Sequence, residues 1–201
     1  WKNNGSYCNW RWPSSINLMQ IIDKIISNFT NNKSLYIGEK VTMSEHMIQT
    51  AMLAEKAKCN DDLICSCLLH DYGHFILENP DELVKENLDG KHEDIGYEYL
   101  KKIFKKEITE PIKYHVLAKR YLAKDKKYFD LLSEASKTSL RLQGGILNDK
   151  ECIKFEAEEY FKSSILLRKF DEAAKKTDIK MKSIHDYQNL LTSKLIWNLI
   201  I

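Results

Sequence analysis

Apolar residues recur at intervals of three and four along nearly the whole chain, and only seven Gly and three Pro interrupt them in 201 residues. That interval stacks side chains on one face of a helix, whereas a half-buried strand needs alternation by two. Strand-like alternation is scarce, so the pattern predicts an all-α fold. It reads as a single domain over 1–201, with a core over about 36–175 and a helix on either side. One domain of this length buries a sizeable core.

The boundaries follow from capping chemistry. Ser15 is placed to cap a first helix whose buried stripe would be Ile16, Met19, Ile22, Ile26 and Phe29. After a looser stretch with Gly38, Thr42 and Glu45 form a capping-box pattern that opens a helix to about Lys58. Asn60 caps the next helix, Asp61 to about Asp71, with Gly73 as its stop. A polar loop, Glu78 to Gly90, leads to a helix from about Lys91 to Phe104. Thr109-Glu110-Pro111 reads as a helix start with proline in the tolerated first turn, running to about Ala123. Short helices are expected between Asp125 and the Gly144-Gly145 pair, then helices over Asp149 to Lys175 and Ser183 to Ile200.

Composition narrows the function classes. The formal net charge is +2, with both signs interspersed, so no basic stripe marks nucleic acid as a partner. The five cysteines (Cys8, Cys59, Cys65, Cys67, Cys152) are odd in number and lack paired spacing, which predicts reduced thiols and a cytoplasmic location. The apolar stretch Leu195 to Ile201 is too short to span a bilayer, and the first residues carry no signal-peptide pattern, so no membrane is expected.

Five of the six histidines fall between positions 46 and 115. His70 and Asp71 follow the apolar run Leu63-Ile64-Cys65-Ser66-Cys67-Leu68-Leu69, so a buried helix delivers two ligand-type side chains from the core side into a cavity. Burying Asp71 without a positive partner is costly. Imidazole suits transition metals, and a carboxylate can bridge two of them. A lone histidine is ordinarily a packed or surface residue; the joint pattern is what points to metal. His185-Asp186 repeats the doublet but follows no apolar run and precedes no further ligand, so it reads as an exposed helix start.

His46, His70-Asp71 and Asp171 fit the His…His-Asp…Asp order of the HD-domain superfamily, which the chain resembles and which consists mostly of metal-dependent phosphohydrolases. His92 and His115, between the doublet and the last Asp, resemble its dinuclear branch. Tyr36-Ile37-Gly38-Glu39, His70-Asp71-Tyr72-Gly73-His74, His115 with Lys119, and Arg168 with Asp171 are together similar to the PhnZ-like mixed-valent diiron oxygenases, relatives of myo-inositol oxygenase. The likeness covers roughly Tyr36 to Lys175. It implies a single HD-domain helical bundle with two iron ions, Fe(II)/Fe(III). His46, His70, Asp71 and Asp171 would hold one, and Asp71, His92 and His115 the other. Tyr36 and Glu39 resemble a mobile pair that closes the first iron until substrate arrives.

The same resemblance assigns His74, Lys119, Ser136 and Arg168 to a phosphonate, with Ser133 or Ser139 as substitutes for Ser136. Spacing agrees for two of these: Lys119 lies one turn beyond His115, and Arg168 shares a face with Asp171. A dianion needs such charge-assisted donors. The implied partners are a small phosphonate and O2. The implied reaction is O2-dependent cleavage of the C–P bond of a 1-hydroxyphosphonate, giving glycine and phosphate from (R)-2-amino-1-hydroxyethylphosphonate. Glu39 suits a substrate ammonium; the 2-trimethylammonio analogue and hydroxymethylphosphonate stay open. The rival is phosphoester hydrolysis by a dinuclear metal site, which the same ligands would serve. Tyr36, Glu39 and His74 favour the oxygenase. A metal-stabilised scaffold fits less well, since structural sites are closed and cysteine-rich.

Overall fold

The computed structural model describes residues 18–36, 38–76 and 91–196. Among them are ten α-helices and no strand, only isolated bridges at Leu35–Thr42 and Phe104–Leu195. In chain order the helices are α1 (Leu18–Asn31), α2 (Met43–Lys56), α3 (Asp61–Leu69), α4 (His92–Leu100) and α5 (Lys106–Leu122). Then follow α6 (Lys126–Leu131), α7 (Glu134–Leu142), α8 (Asp149–Glu156), α9 (Phe161–Ala173) and α10 (Gln188–Ser193). Helix α5 is the central rod, packed against α3, α4 and α9, while α2 lies on α3 and α9. Ile22, Met47, Leu68, Leu69, Leu100 and Leu167 are fully buried within the main core.

Caps set the helix starts as the sequence predicts for α2 and α3. Thr42 Oγ1 accepts from the Glu45 amide (3.1 Å) and Glu45 Oε2 accepts from the Thr42 amide (2.7 Å). Asn60 Oδ1 accepts from Leu63 N at 2.9 Å. Each satisfies amides that a helix N-terminus leaves bare.

Several boundaries differ from expectation. Helix α3 ends at Leu69, and the chain tightens into a 3-10 turn over Tyr72–Phe75. Helix α5 begins a turn before Thr109, leaving Pro111 inside it. Tertiary packing carries the added turn: Ile108 is buried and its carbonyl accepts from Ser66 Oγ of α3 at 2.8 Å. The long helix expected over 149–175 breaks into α8 and α9, which lets Phe155 and Phe161 meet edge to face at 4.9 Å. On α1, Ile22, Ile26 and Phe29 are buried, but Met19 is 52% exposed, and Ile21 and Ile25 complete the stripe instead. The C-terminal segment is a 3-10 turn over Ile184–Tyr187 followed by the short α10, and 197–201 fall outside the described residues, as do Ser15, Ile16, Cys8 and the 78–90 loop.

Candidate two-metal centre and its cavity

Four histidines and two aspartates from α2, α3, α4, α5 and α9 converge in the interior. His46 owes its place to the capping box, because its amide makes the first helical bond of α2, to Thr42 O at 2.9 Å. His70 and Asp71 sit where α3 gives way to the 3-10 turn, and His115 lies midway along α5. His92 opens α4 directly after Lys91, whose φ is +46°. Gly73 is what lets α4 come so close. A Cβ there would stand 1.9 Å from the His92 carbonyl oxygen, and one at Gly96 would stand 3.1 Å from Gly73 N. The role of Gly73 is close backbone approach, beyond the helix stop read from sequence.

Asp71 divides its two oxygens. Oδ2 lies 3.6 Å from His46 Nε2 and 3.3 Å from His70 Nε2. Oδ1 lies 3.3 Å from His92 Nε2 and 3.4 Å from His115 Nε2. Asp171 Oδ1 completes the first group at 3.3 Å from His46 Nε2. The rings are oriented from behind: His46, His70 and His115 donate from Nδ1 to the carbonyls of Ala174 (2.9 Å), Cys67 (2.9 Å) and Ile112 (2.6 Å). A proton on Nδ1 leaves the Nε2 lone pair of a neutral ring facing inward, as metal ligation requires.

These residues fit cations. The Nε2 atoms of His46 and His70 stand 3.2 Å apart, and those of His92 and His115 3.1 Å apart. Lone pairs so placed need a positive centre between them. Asp171 Oδ1 is buried and accepts no hydrogen bond. Burial pushes the His70 pKa down, but Asp71 and Asp171 outweigh it and lift it to about 9. Burial likewise opposes ionisation of Asp71, yet His70, His115 and His92 hold its carboxyl well below the usual range. This pocket of the core calls for positive charge. His46, His70 and Asp171 form one group of compact ligand atoms, and Asp71, His74 and His92 another.

A cavity of about 440 Å³ opens on the second group, lined by Asp71, His92 and His115 and by Asp171 of the first group, but not by His46 or His70. Tyr36 covers the first group, its ring stacked on His46 at 3.9 Å and 10°. Burial, then Asp171 and Asp71, raise the Tyr36 phenol well above its ordinary pKa, so it keeps its proton. His74 lines the cavity, stacked on His92 at 4.3 Å, and burial with the His92 charge takes it down to about 3. Lys119 is buried and donates to Ser139 Oγ at 2.9 Å, and burial followed by the Arg168 charge lowers its pKa to about 7.

Arg168 is more committed than expected: it is paired with Asp171 and Glu172 and donates from Nε to Tyr128 Oη at 2.9 Å. Ser136 Oγ donates to Glu172 Oε2 at 3.0 Å. Glu39 lines the cavity and pairs with Lys175, its Oε1 3.2 Å from Nζ. His185 and Asp186 are exposed, and Asp186 caps Ser183 at 2.7 Å, far from this chemistry in role. Sequence reasoning missed Glu172 and Lys175. Their signal was the spacing 168, 171, 172, 175, one stripe continuing past the end of α9.

The chain belongs to the HD-domain family, whose model matches residues 43–155, the stretch that carries His46, His70, Asp71, His92 and His115. It is 44% identical over 146 residues to a 1-hydroxy-2-(trimethylamino)ethylphosphonate dioxygenase (glycine-betaine-forming) of Leisingera caerulea, covering 72% of this chain and 74% of that one. It is 38% identical over 164 residues to the hydroxymethylphosphonate dioxygenase of Gimesia maris, covering 80% and 81%. Within the family it is a PhnZ-like oxygenase. The hydrolase alternative is thereby set aside. No helix among the described residues is long and apolar enough to cross a membrane.

Proposed function

We propose that the chain is a diiron oxygenase that uses O2 to cleave the C–P bond of a 1-hydroxyphosphonate, with 2-amino-1-hydroxyethylphosphonate as the preferred substrate, yielding glycine and phosphate. The partition of Asp71, one oxygen toward each histidine pair, supports the two-metal part. The observation that carries the oxygenase reading is Tyr36 stacked on His46 over the first group, beside a cavity lined by Glu39 and His74. His46, His70, Asp71 and Asp171 would hold one iron, and Asp71, His92 and His115 the other. Together the pair would supply the dioxygen activation and the oxidation of the substrate carbon.

The chain's own side chains do the rest. Lys119, with no ion pair among the described residues, meets the phosphonate charge. Arg168 contributes the N–H groups that Asp171, Glu172 and Tyr128 leave over, and Ser136 or Ser139 adds a hydroxyl. His74, kept neutral, offers a hydrogen bond without adding charge. Glu39 meets the substituent on the neighbouring carbon, and Tyr36 shields the first metal position until substrate enters. Free thiols at Cys59, Cys65, Cys67 and Cys152 support a reducing, cytoplasmic setting.

The test is aerobic and anaerobic incubation of iron-loaded protein with 2-amino-1-hydroxyethylphosphonate. Phosphate and glycine should form in equal amounts, and only with O2. Equal phosphate release without O2 would refute the proposal. Elemental analysis should find two irons per chain.

A further inference from the structure

Lys175 lies outside every role assigned so far, yet it is the centre of a tight cluster behind the cavity wall. Its ammonium donates to Ser133 Oγ (3.1 Å), Ser136 Oγ (3.0 Å) and Glu172 Oε1 (2.9 Å). A lysine has three N–H donors, so these partners use them all. Glu39 Oε1 is a fourth neighbour at 3.2 Å, held by charge alone. That oxygen is buried and accepts no hydrogen bond. Glu39 lines the cavity while Lys175 does not, so the lysine stands on the far side of the carboxylate from any ligand.

Two consequences follow for a ligand. Glu39 places a carboxylate in the cavity lining, which favours a substituent that bears positive charge or N–H groups. At the same time the Lys175 charge offsets that carboxylate from behind, in a site where side-chain exposure is only 11% and 16% for the two partners and solvent screens poorly. The offset weakens the pull on a cation and lowers the penalty for an uncharged substituent.

Resting on the phosphonate reading above, we propose that Lys175 is a specificity-determining residue: by neutralising Glu39 from outside the cavity, it sets how strongly the enzyme prefers a cationic over an uncharged substituent beside the hydroxyl-bearing carbon. Because Lys175 also touches Ser136, its loss will disturb the phosphonate end of the site. That disturbance falls equally on both kinds of ligand and cancels in their ratio.

The experiment is anaerobic titration calorimetry of iron-loaded protein with 2-aminoethylphosphonate and with ethylphosphonate, neither of which carries the hydroxyl. The readout is the ratio of the two affinities. Lys175→Met should raise the preference for the amino ligand by about tenfold, in keeping with the coupling of close buried charges. Lys175→Gln keeps hydrogen bonding without charge and should behave alike, so the outcome does not depend on one variant folding. Lys175→Arg should leave the ratio near that of the parent, and Glu39→Gln should bring it toward unity whatever stands at 175. If Lys175→Met and Lys175→Gln move both affinities by the same factor, or neither, the specificity role is wrong while the phosphonate reading stands. Failure of the parent protein to bind either ligand would overturn both.

Discussion

The four ligand-type histidines and the opposite wall of the cavity are held by different means. Three of the four rings hang from main-chain carbonyls: those of Cys67 and Ile112, on helices fixed by the main core, and that of Ala174, buried at the end of α9. Across the cavity, side chains hold one another: Arg168 to Glu172, Lys175 to Ser133 and Ser136, Lys119 to Ser139. A backbone anchor moves only if a helix moves, whereas a side-chain network reorganises around any single replacement. The residues proposed for the chemistry are thus rigidly mounted, and those proposed for recognition are adjustable.

The severest challenge to the rigid wall is Asp71→Asn, which keeps the shape but removes the charge that both histidine pairs face. Iron should fall from two per chain to one or none by elemental analysis, with turnover down about 100-fold or more. Retention of both irons would break the comparison at its root. Gly73→Ala comes next, because the new methyl collides with the His92 carbonyl. Separating α4 from the 3-10 turn should weaken metal binding about 10–100-fold, read by chelator competition. An effect no larger than that of Ala on an exposed helix would mean the backbone contact sets nothing.

Changes in the adjustable wall should be milder and confined to substrate. Lys119→Met should raise KM about tenfold while iron content stays at two. The parent enzyme should also bind phosphonate less well as pH rises through about 7, where Lys119 loses its proton in the empty cavity. The slope approaches about tenfold per pH unit when the proton must be taken up on binding, and the variant should lack it. Stability runs the other way. A lysine whose pKa is lowered by folding costs most when both states are protonated, below about 7, and that cost fades as pH climbs toward the ordinary lysine value. Lys119→Met should therefore raise Tm most in acid. Smallest is Thr42→Ala, which removes a cap hydroxyl beneath His46 at a cost of about 1 kcal/mol. Its Tm should drop by about 2–4 °C with KM unchanged.

Much of the rigid wall was legible in the sequence. An apolar run ending in His-Asp has few other uses in a folded interior, and the other ligand-type residues the sequence singled out, His46, His92, His115 and Asp171, come to the same place helix by helix. The adjustable wall was less so. Glu172 and Lys175 are ordinary residues in a lysine-rich chain, and nothing local says that one of them ends against Glu39, more than a hundred positions earlier. The proline at 111 misled for a related reason: a start signal is local, but burial of Ile108 rewarded one more turn. The break between α8 and α9 has no Gly or Pro to announce it, since it is made by the packing of Phe155 on Phe161.

Where Gly73 and Gly96 meet, two stretches of main chain touch with nothing between them. The distance from the end of α3 to the start of α4 therefore has no side chain that drift could lengthen or trim, short of replacing a glycine. Side chains lining the cavity can be exchanged in this chain without altering the gauge that this glycine contact sets.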